Sequence, residues 1–119
     1  ADLGAFDVLL VAMTPEQCVP LLAECEALAA VAREVRSSPC WALMAAFPQR
    51  LAVDFDAAFV EGSPLAWIAR NASKPGRADA ECWVAHASTE WSQAHLEDQA
   101  EAIAAALLQA LARVTNASS

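Results

Sequence analysis

Hydrophobic runs separated by turn-forming residues divide this sequence into a series of short predicted elements. The first run, Phe6-Asp-Val-Leu-Leu-Val-Ala12, is almost continuously apolar. It predicts a strand buried on both faces, as in a parallel sheet. Thr14-Pro15 then predicts a helix start, with Gln17 placed to complete a capping box. Because Pro20 interrupts the helical pattern, we expect a break there and a second helix to about Glu34.

Four short segments in the middle of the chain predict strands. They span residues 40–47, 57–60, 65–71 and 81–88, with a loop over 48–56. Segment 40–47 is rich in alanine, so a helix is an alternative there. The turn residues at 73–77 lie between the last two segments, which predicts an antiparallel hairpin with a long loop.

A long helix is predicted at the end of the chain. Ile103, Leu107, Leu111 and Val114 fall on one helical face, and acidic residues precede them in the first turns. Residues 115–119 read as a frayed end. The predicted fold class is therefore α+β, an antiparallel sheet with flanking helices.

Charge and hydropathy exclude several classes of function. A formal net charge of −8 argues against nucleic acid and anionic membranes, since both are bound through Lys and Arg. The apolar runs are too short to cross a bilayer, and the first residues do not resemble a signal peptide. The four cysteines form no CxxC, so we expect them to be reduced and mostly buried. These features predict a cytoplasmic protein.

The common catalytic and cofactor motifs are absent from this sequence. Its three glycines form neither GxGxxG nor a P-loop, and there is no GxSxG nucleophile elbow. No metal site is predicted, because His86, His95 and the cysteines lack the spacing of zinc ligands. We expect Asp54 and Asp56 to lie in a solvated loop.

Several short segments of this sequence are distinctive as a set. They are residues 39–44, 55–60, 63–71, 73–77, 81–84, 86–92 and 95–97. Together they resemble bacterial FAD-dependent oxidoreductases of the renalase type, within the flavin amine oxidase superfamily. The opening run 6–12, followed by Pro15, resembles the strand and turn with which such proteins leave the FAD domain. The resemblance covers nearly the whole chain, and residues 63–77 are its most specific part.

The resemblance implies a two-domain parent protein. Residues 1–13 would be the last strand of its FAD-binding domain, 14–37 connecting helices, and 38–119 the inserted antiparallel substrate-binding domain with its closing helix. The family's glycine-rich FAD motif and its closing carboxy-terminal segment are missing here. FAD would therefore be held mainly by other parts of the parent, and we expect this chain alone to be inactive.

The resemblance also implies which residues contact substrate. Asn71 and His86 are the first candidates for substrate contact, and Arg70 and Trp67 are the next. An amide can hold a ring carboxamide through hydrogen bonds, and a histidine can donate or accept one. From the residues alone, Asn71 is more often a turn residue and His86 a hydrogen-bonded core histidine. Arg70 would be solvated or salt-bridged, and Trp67 would belong to the core or to an interface. Trp67 shares a strand face with Asn71, and His86 joins that face only if it pairs with Trp67 or Cys82 with Asn71.

Two functional hypotheses follow. The first is an FAD-dependent oxidoreductase acting on amine-like or dihydronicotinamide substrates, of which this chain forms one wall of the substrate pocket. The alternative is a non-catalytic binding or oligomerising module derived from such an enzyme, associating through exposed apolar surface. A weaker third possibility is an unrelated α+β domain.

Overall fold

A computed structural model describes residues 4–77 and 80–116 of the chain. The chain divides into two units, of which the first ends at Ser38 and the second begins at Pro39. The assignment of residues 1–13 to an FAD-binding domain stays a prediction.

Short helices make up the regular structure of the first unit. Helix α1 spans Pro15–Cys18, a 3-10 helix spans Val19–Leu22, and α2 spans Glu26–Glu34. As predicted, Pro15 occupies the first turn and Pro20 separates the two α-helices. The capping box was wrong, because the Thr14 side chain makes no cap hydrogen bond although its backbone is extended as a cap requires.

A carboxylate at the start of α1 connects two parts of this unit. Glu16 accepts hydrogen bonds from the Ser37 backbone N–H and hydroxyl, at 2.8 and 2.9 Å. These bonds stabilise the ionised form and lower the pKa of Glu16, the backbone N–H most strongly. The link fixes the segment that follows α2 against the start of α1.

The predicted strand at residues 6–12 was wrong for this chain. Residues 4–13 form no helix or strand, and four large side chains of the run are open to solvent: Phe6 is 68% exposed, Val8 76%, Leu9 75% and Leu10 88%, while Val11 is half-buried. A strand is stable only when neighbouring strands satisfy its backbone. The sheet of the described residues contains four other segments, so this run has the composition of a buried strand without its pairing.

The second unit is built on a four-stranded antiparallel sheet. Its strands are β1 (Ala42–Ala46), β2 (Ala57–Phe59), β3 (Leu65–Arg70) and β4 (Cys82–Ala87), in the spatial order β1-β4-β3-β2. All three pairings are antiparallel. The α+β class, the four strands and the long-loop hairpin of β3 and β4 are confirmed, and segment 40–47 contains a strand, not a helix.

Helices follow β4 and close one face of the sheet. Helix α3 spans Thr89–Ala94 and α4 spans Ala100–Thr115, so the predicted last helix is confirmed. The predicted frayed end was wrong at Thr115, which is 2% exposed and donates to the Leu111 carbonyl at 2.8 Å; residues 117–119 lie outside the described residues. The core joins α4 to β3 and β4 through Leu65, Ile68, Trp83, Ala85, Ala87, Ile103, Leu107, Ala110 and Leu111.

A β-bulge in β3 decides which side chains reach that core. Leu65 pairs with Ala87 and Trp67 with His86, so one extra residue of β3 lies between the two pairs. Strict alternation would place Leu65 and Trp67 on one face. The bulge lets Leu65 enter the core, at 1% exposure, while Trp67 points to the other side.

Candidate functional site

The face of the sheet opposite to α4 is the candidate site. We call it the open face, and define it by the residues that alternate away from the core. Two of its large apolar side chains are fully accessible: Met44 on β1 is 84% exposed and Phe59 on β2 is 88% exposed. Its members are Ala42, Met44, Ala46, Ala57, Phe59, Trp67, Ala69, Cys82, Val84 and His86.

Trp67 and His86 form the aromatic centre of the open face. They are direct partners in the β3–β4 register, which is one of the two pairings that put His86 on the face of Trp67. Their ring centroids lie 5.1 Å apart at an interplanar angle of 45°. Both side chains are half-buried, so each keeps an accessible edge. A flat ligand on this face would meet an aromatic ring and an imidazole together.

Asn71 lies beyond the end of β3, at the start of a 3-10 helix that spans Asn71–Ser73. It is half-buried, and its carbonyl accepts from the Lys74 N–H at 3.1 Å, which is the turn role that its sequence context indicated. It follows Trp67 by four residues along the chain, one residue past the end of β3.

The polar side-chain atoms of His86 and Asn71 are available to bind a ligand. Within residues 4–77 and 80–116, no side-chain hydrogen bond engages the His86 ring or the Asn71 amide. An amide and an imidazole ordinarily find partners when they are buried. Because both are only half-buried here, water or a ligand can supply those partners.

Arg70 does not lie on the open face, so its prediction as a substrate-contacting residue receives no support from that face. Alternation turns it to the core side, where it is 2% exposed and its guanidinium carbon lies 4.9 Å from the Trp83 ring centroid. It donates to Glu81, to Asp56, and to the carbonyls of Leu51 and Phe55. Its donors are committed to the protein, so the salt-bridged interpretation of Arg70 is confirmed.

Glu81 is the acceptor at the centre of that buried cluster. Its Oε1 accepts from the Trp83 indole at 2.9 Å, from the Leu51 backbone N–H at 3.0 Å and from Arg70 Nε at 3.3 Å. Burial raises the pKa of Glu81, but these hydrogen bonds and the Arg70 charge outweigh it and lower the pKa below its ordinary value. The cluster holds the 48–56 loop against β3 and β4, and hence supports the open face from behind.

Sequence reasoning missed Met44 and Phe59 as members of the open face. Their alternation with half-buried neighbours is the signal that indicates them, but it needs the register, which places Phe59 opposite Trp67 and Met44 opposite Val84. The cysteines also differ from expectation: they are free, as predicted, but only Cys18 is buried.

The described residues form neither a metal site nor a glycine-rich phosphate-binding loop. No group of three or more His, Cys, Asp or Glu side chains among them is arranged to hold a metal ion. Gly62 and Gly76 adopt positive φ in turns that lead to no α-helix, so they build no phosphate cradle. In the same part of the chain, no helix has the length and apolarity to span a bilayer. No protein-family model matches this sequence.

Proposed function

We propose that this chain is the substrate-binding portion of an FAD-dependent oxidoreductase, and that its open face forms one wall of the substrate pocket. The observation that supports this proposal best is the pairing of Trp67 with His86 on an accessible sheet face, with ring centroids 5.1 Å apart. Both residues, and Asn71, lie in segments that resemble renalase-type enzymes. The protein would be cytoplasmic.

The substrate class follows from the chemistry of these three residues. A dihydronicotinamide dinucleotide offers a flat ring for Trp67 and a carboxamide whose donor and acceptor match the Asn71 amide. His86 can donate to or accept from a second polar group of the same ligand. An amine substrate would use the aromatic surface and the imidazole in the same way.

The residues of this chain would bind and orient the substrate while another part of the parent protein holds the flavin. Flavin accepts a hydride when bound, and that chemistry belongs to the cofactor. Trp67 would fix the plane of the substrate ring. His86 and Asn71 would fix its position in that plane, and Met44 and Phe59 would exclude water around it.

The native protein provides the test. We would purify it from its host with an antibody raised against this chain, and measure intact mass together with flavin absorbance. The expected result is a chain several times longer with bound FAD. A colourless native chain of the present length would overturn the proposal.

Variants of that native protein test the two polar residues. A hydrogen bond to bound substrate is worth about 1–3 kcal/mol, so Asn71→Ala and His86→Ala should each lower kcat/KM by about 5- to 150-fold. Gln93→Ala, at an exposed position of α3, is the control and should leave kcat/KM unchanged. Wild-type kinetics in both site variants would remove the open face from the substrate pocket.

The exposure of Met44 and Phe59 favours a second candidate function, a non-catalytic module that associates through apolar surface. This candidate predicts a native chain without flavin that forms a stable complex. The mass and absorbance measurement separates the two.

A further inference from the structure

The two outer strands of the sheet differ in how they are protected. Edge strands expose unpaired backbone groups, and proteins usually guard them with charged residues, proline or short length. Strand β2 has three residues and is flanked by Asp56 and Glu61. Strand β1 has five, Ala42–Ala46, with neither charge nor proline among them, and Pro48 follows two residues after its end. Of the two edges, β1 is the longer one and the one without a charge beside it.

The hydrogen bonds of β1 show which of its backbone groups face outward. The Trp41 carbonyl accepts from Ala87, and the Phe47 N–H donates to Glu81, so residues 41 and 47 face β4. In an antiparallel ladder both backbone groups of a residue point the same way, alternating along the strand. The N–H and C=O groups of Ala42, Met44 and Ala46 therefore point away from the sheet, and all three residues are exposed.

This outward set is complementary to itself. A two-fold axis through Met44, perpendicular to the sheet, places Met44 opposite its copy and Ala42 opposite Ala46 of the other molecule. Each facing pair exchanges two hydrogen bonds, which gives about six for the three pairs. The axis also keeps the open face of one copy continuous with the open face of the other.

Side chains on the core side gain cover from the same arrangement. Trp41, Leu43, Ala45 and Phe47 form the edge row of that side, and all are half-buried. The two-fold register brings Trp41 beside the second copy's Phe47, and Leu43 beside its Ala45. Apolar contact of this kind between facing side chains stabilises strand pairs.

The charge distribution permits this contact. The chain carries a formal charge of −8, which opposes association in general, but no acidic residue occurs between Glu34 and Asp54. Two copies meeting at β1 thus bring no carboxylates together in the strand. A single strand pair buries less than the roughly 1,200–2,000 Å² of a standard stable interface, so the contact should be reversible and dependent on concentration.

We propose that β1 is a self-association edge through which two copies of this chain pair antiparallel about Met44, to form one continuous eight-stranded sheet. The occupant of the edge is thus a second copy of the chain. The pairing leaves Trp67 and His86 accessible on the open face, and does not depend on the function of that face.

The test compares two lysine variants of the 119-residue chain by sedimentation equilibrium. Met44→Lys and Phe59→Lys each place one charge on the open face at similarly exposed positions, but on opposite edges of the sheet. The wild type should approach twice the monomer mass as concentration rises toward about 1 mM, the range of weak association. Met44→Lys should weaken dimerisation about tenfold or more, because the two lysines would face each other. Phe59→Lys should dimerise as the wild type does.

Amide hydrogen exchange by NMR tests the register. As concentration rises, exchange should slow at Ala42, Met44 and Ala46, while Leu43 and Ala45, already bonded to β4, should not change. A wild type that stays monomeric overturns the proposal, and so does equal loss of dimer in both lysine variants, which would indicate association through the open face. Circular dichroism of each variant confirms that it is folded.

Discussion

The two units of this chain contain similar kinds of apolar residues but bury them very differently. Among the described residues up to Ser38, only Cys18 and Ala29 are buried, whereas Leu21, Leu28 and Val31 are each at least 58% exposed. The second unit buries a nine-residue core. The cause is layering: α4 and the sheet offer each other complementary apolar faces, while the described residues up to Ser38 contain short helices without a second layer of that kind.

The difference between the two units shows that an apolar pattern alone does not determine burial. Periodicity tells which side of an element can be buried, but burial needs a surface to receive it. In α2, Leu28 and Ala32 lie on one apolar face, and the structure leaves Leu28 58% exposed. In α4 an equivalent pattern meets β3 and β4, and Leu107 is fully buried.

The largest expected effect concerns the ion pairs of the two units. Arg70→Ala removes the partner of a buried carboxylate and should lower the free energy of unfolding by about 3–5 kcal/mol. Arg33→Ala is the counterpart in the first unit; it breaks a pair with Glu26 whose side chains are 49% and 73% exposed, and should cause no measurable loss. Urea denaturation followed by tryptophan fluorescence and circular dichroism measures both. Equal losses would show that the first unit is as well packed as the second.

A matched pair of helix variants tests the comparison through packing. Leu107→Ala in α4 creates a cavity beneath the sheet and should cost about 2–5 kcal/mol of unfolding free energy. Leu28→Ala in α2 makes the same chemical change at an exposed site and should change stability by less than about 0.5 kcal/mol. Thermal melts of both variants, read by circular dichroism, give the difference. A large loss in Leu28→Ala would mean that this side chain is covered in solution.

Much of the second unit could be predicted from sequence, because its elements satisfy local rules and also find partners. The four strands lie within two residues of their predicted ends, and α4 includes the predicted apolar face. The strand predicted at residues 6–12 is not formed, because strand formation depends on neighbouring strands, which a local sequence pattern does not contain. The bulge between Leu65 and Trp67 could not be predicted from the sequence either. One extra residue changes the face of the sheet to which the side chains point without changing the composition.

The candidate site was predictable only in part. His86 and Trp67 share a face because the β3–β4 register pairs them, and sequence alone left that register open. Arg70 lies on the opposite face from Trp67, as the alternation of side chains along β3 indicates. The resemblance directed attention to the segment, but the direction of each side chain is set by the pleat and by the buried acceptor Glu81.

The smallest expected effect concerns the helix caps of the two units. Ser88 caps α3, its hydroxyl accepting from the Trp91 N–H at 3.1 Å, whereas Thr14 precedes α1 with no side-chain cap bond. Ser88→Ala should therefore lower the unfolding free energy by about 0.5–2 kcal/mol, since it leaves a helix N–H without its acceptor. Thr14→Ala should have no measurable effect, because it removes no such bond. Urea denaturation of both variants measures the contrast; equal losses would show that Thr14 does cap α1 in solution, and the first unit would then resemble the second at its helix start.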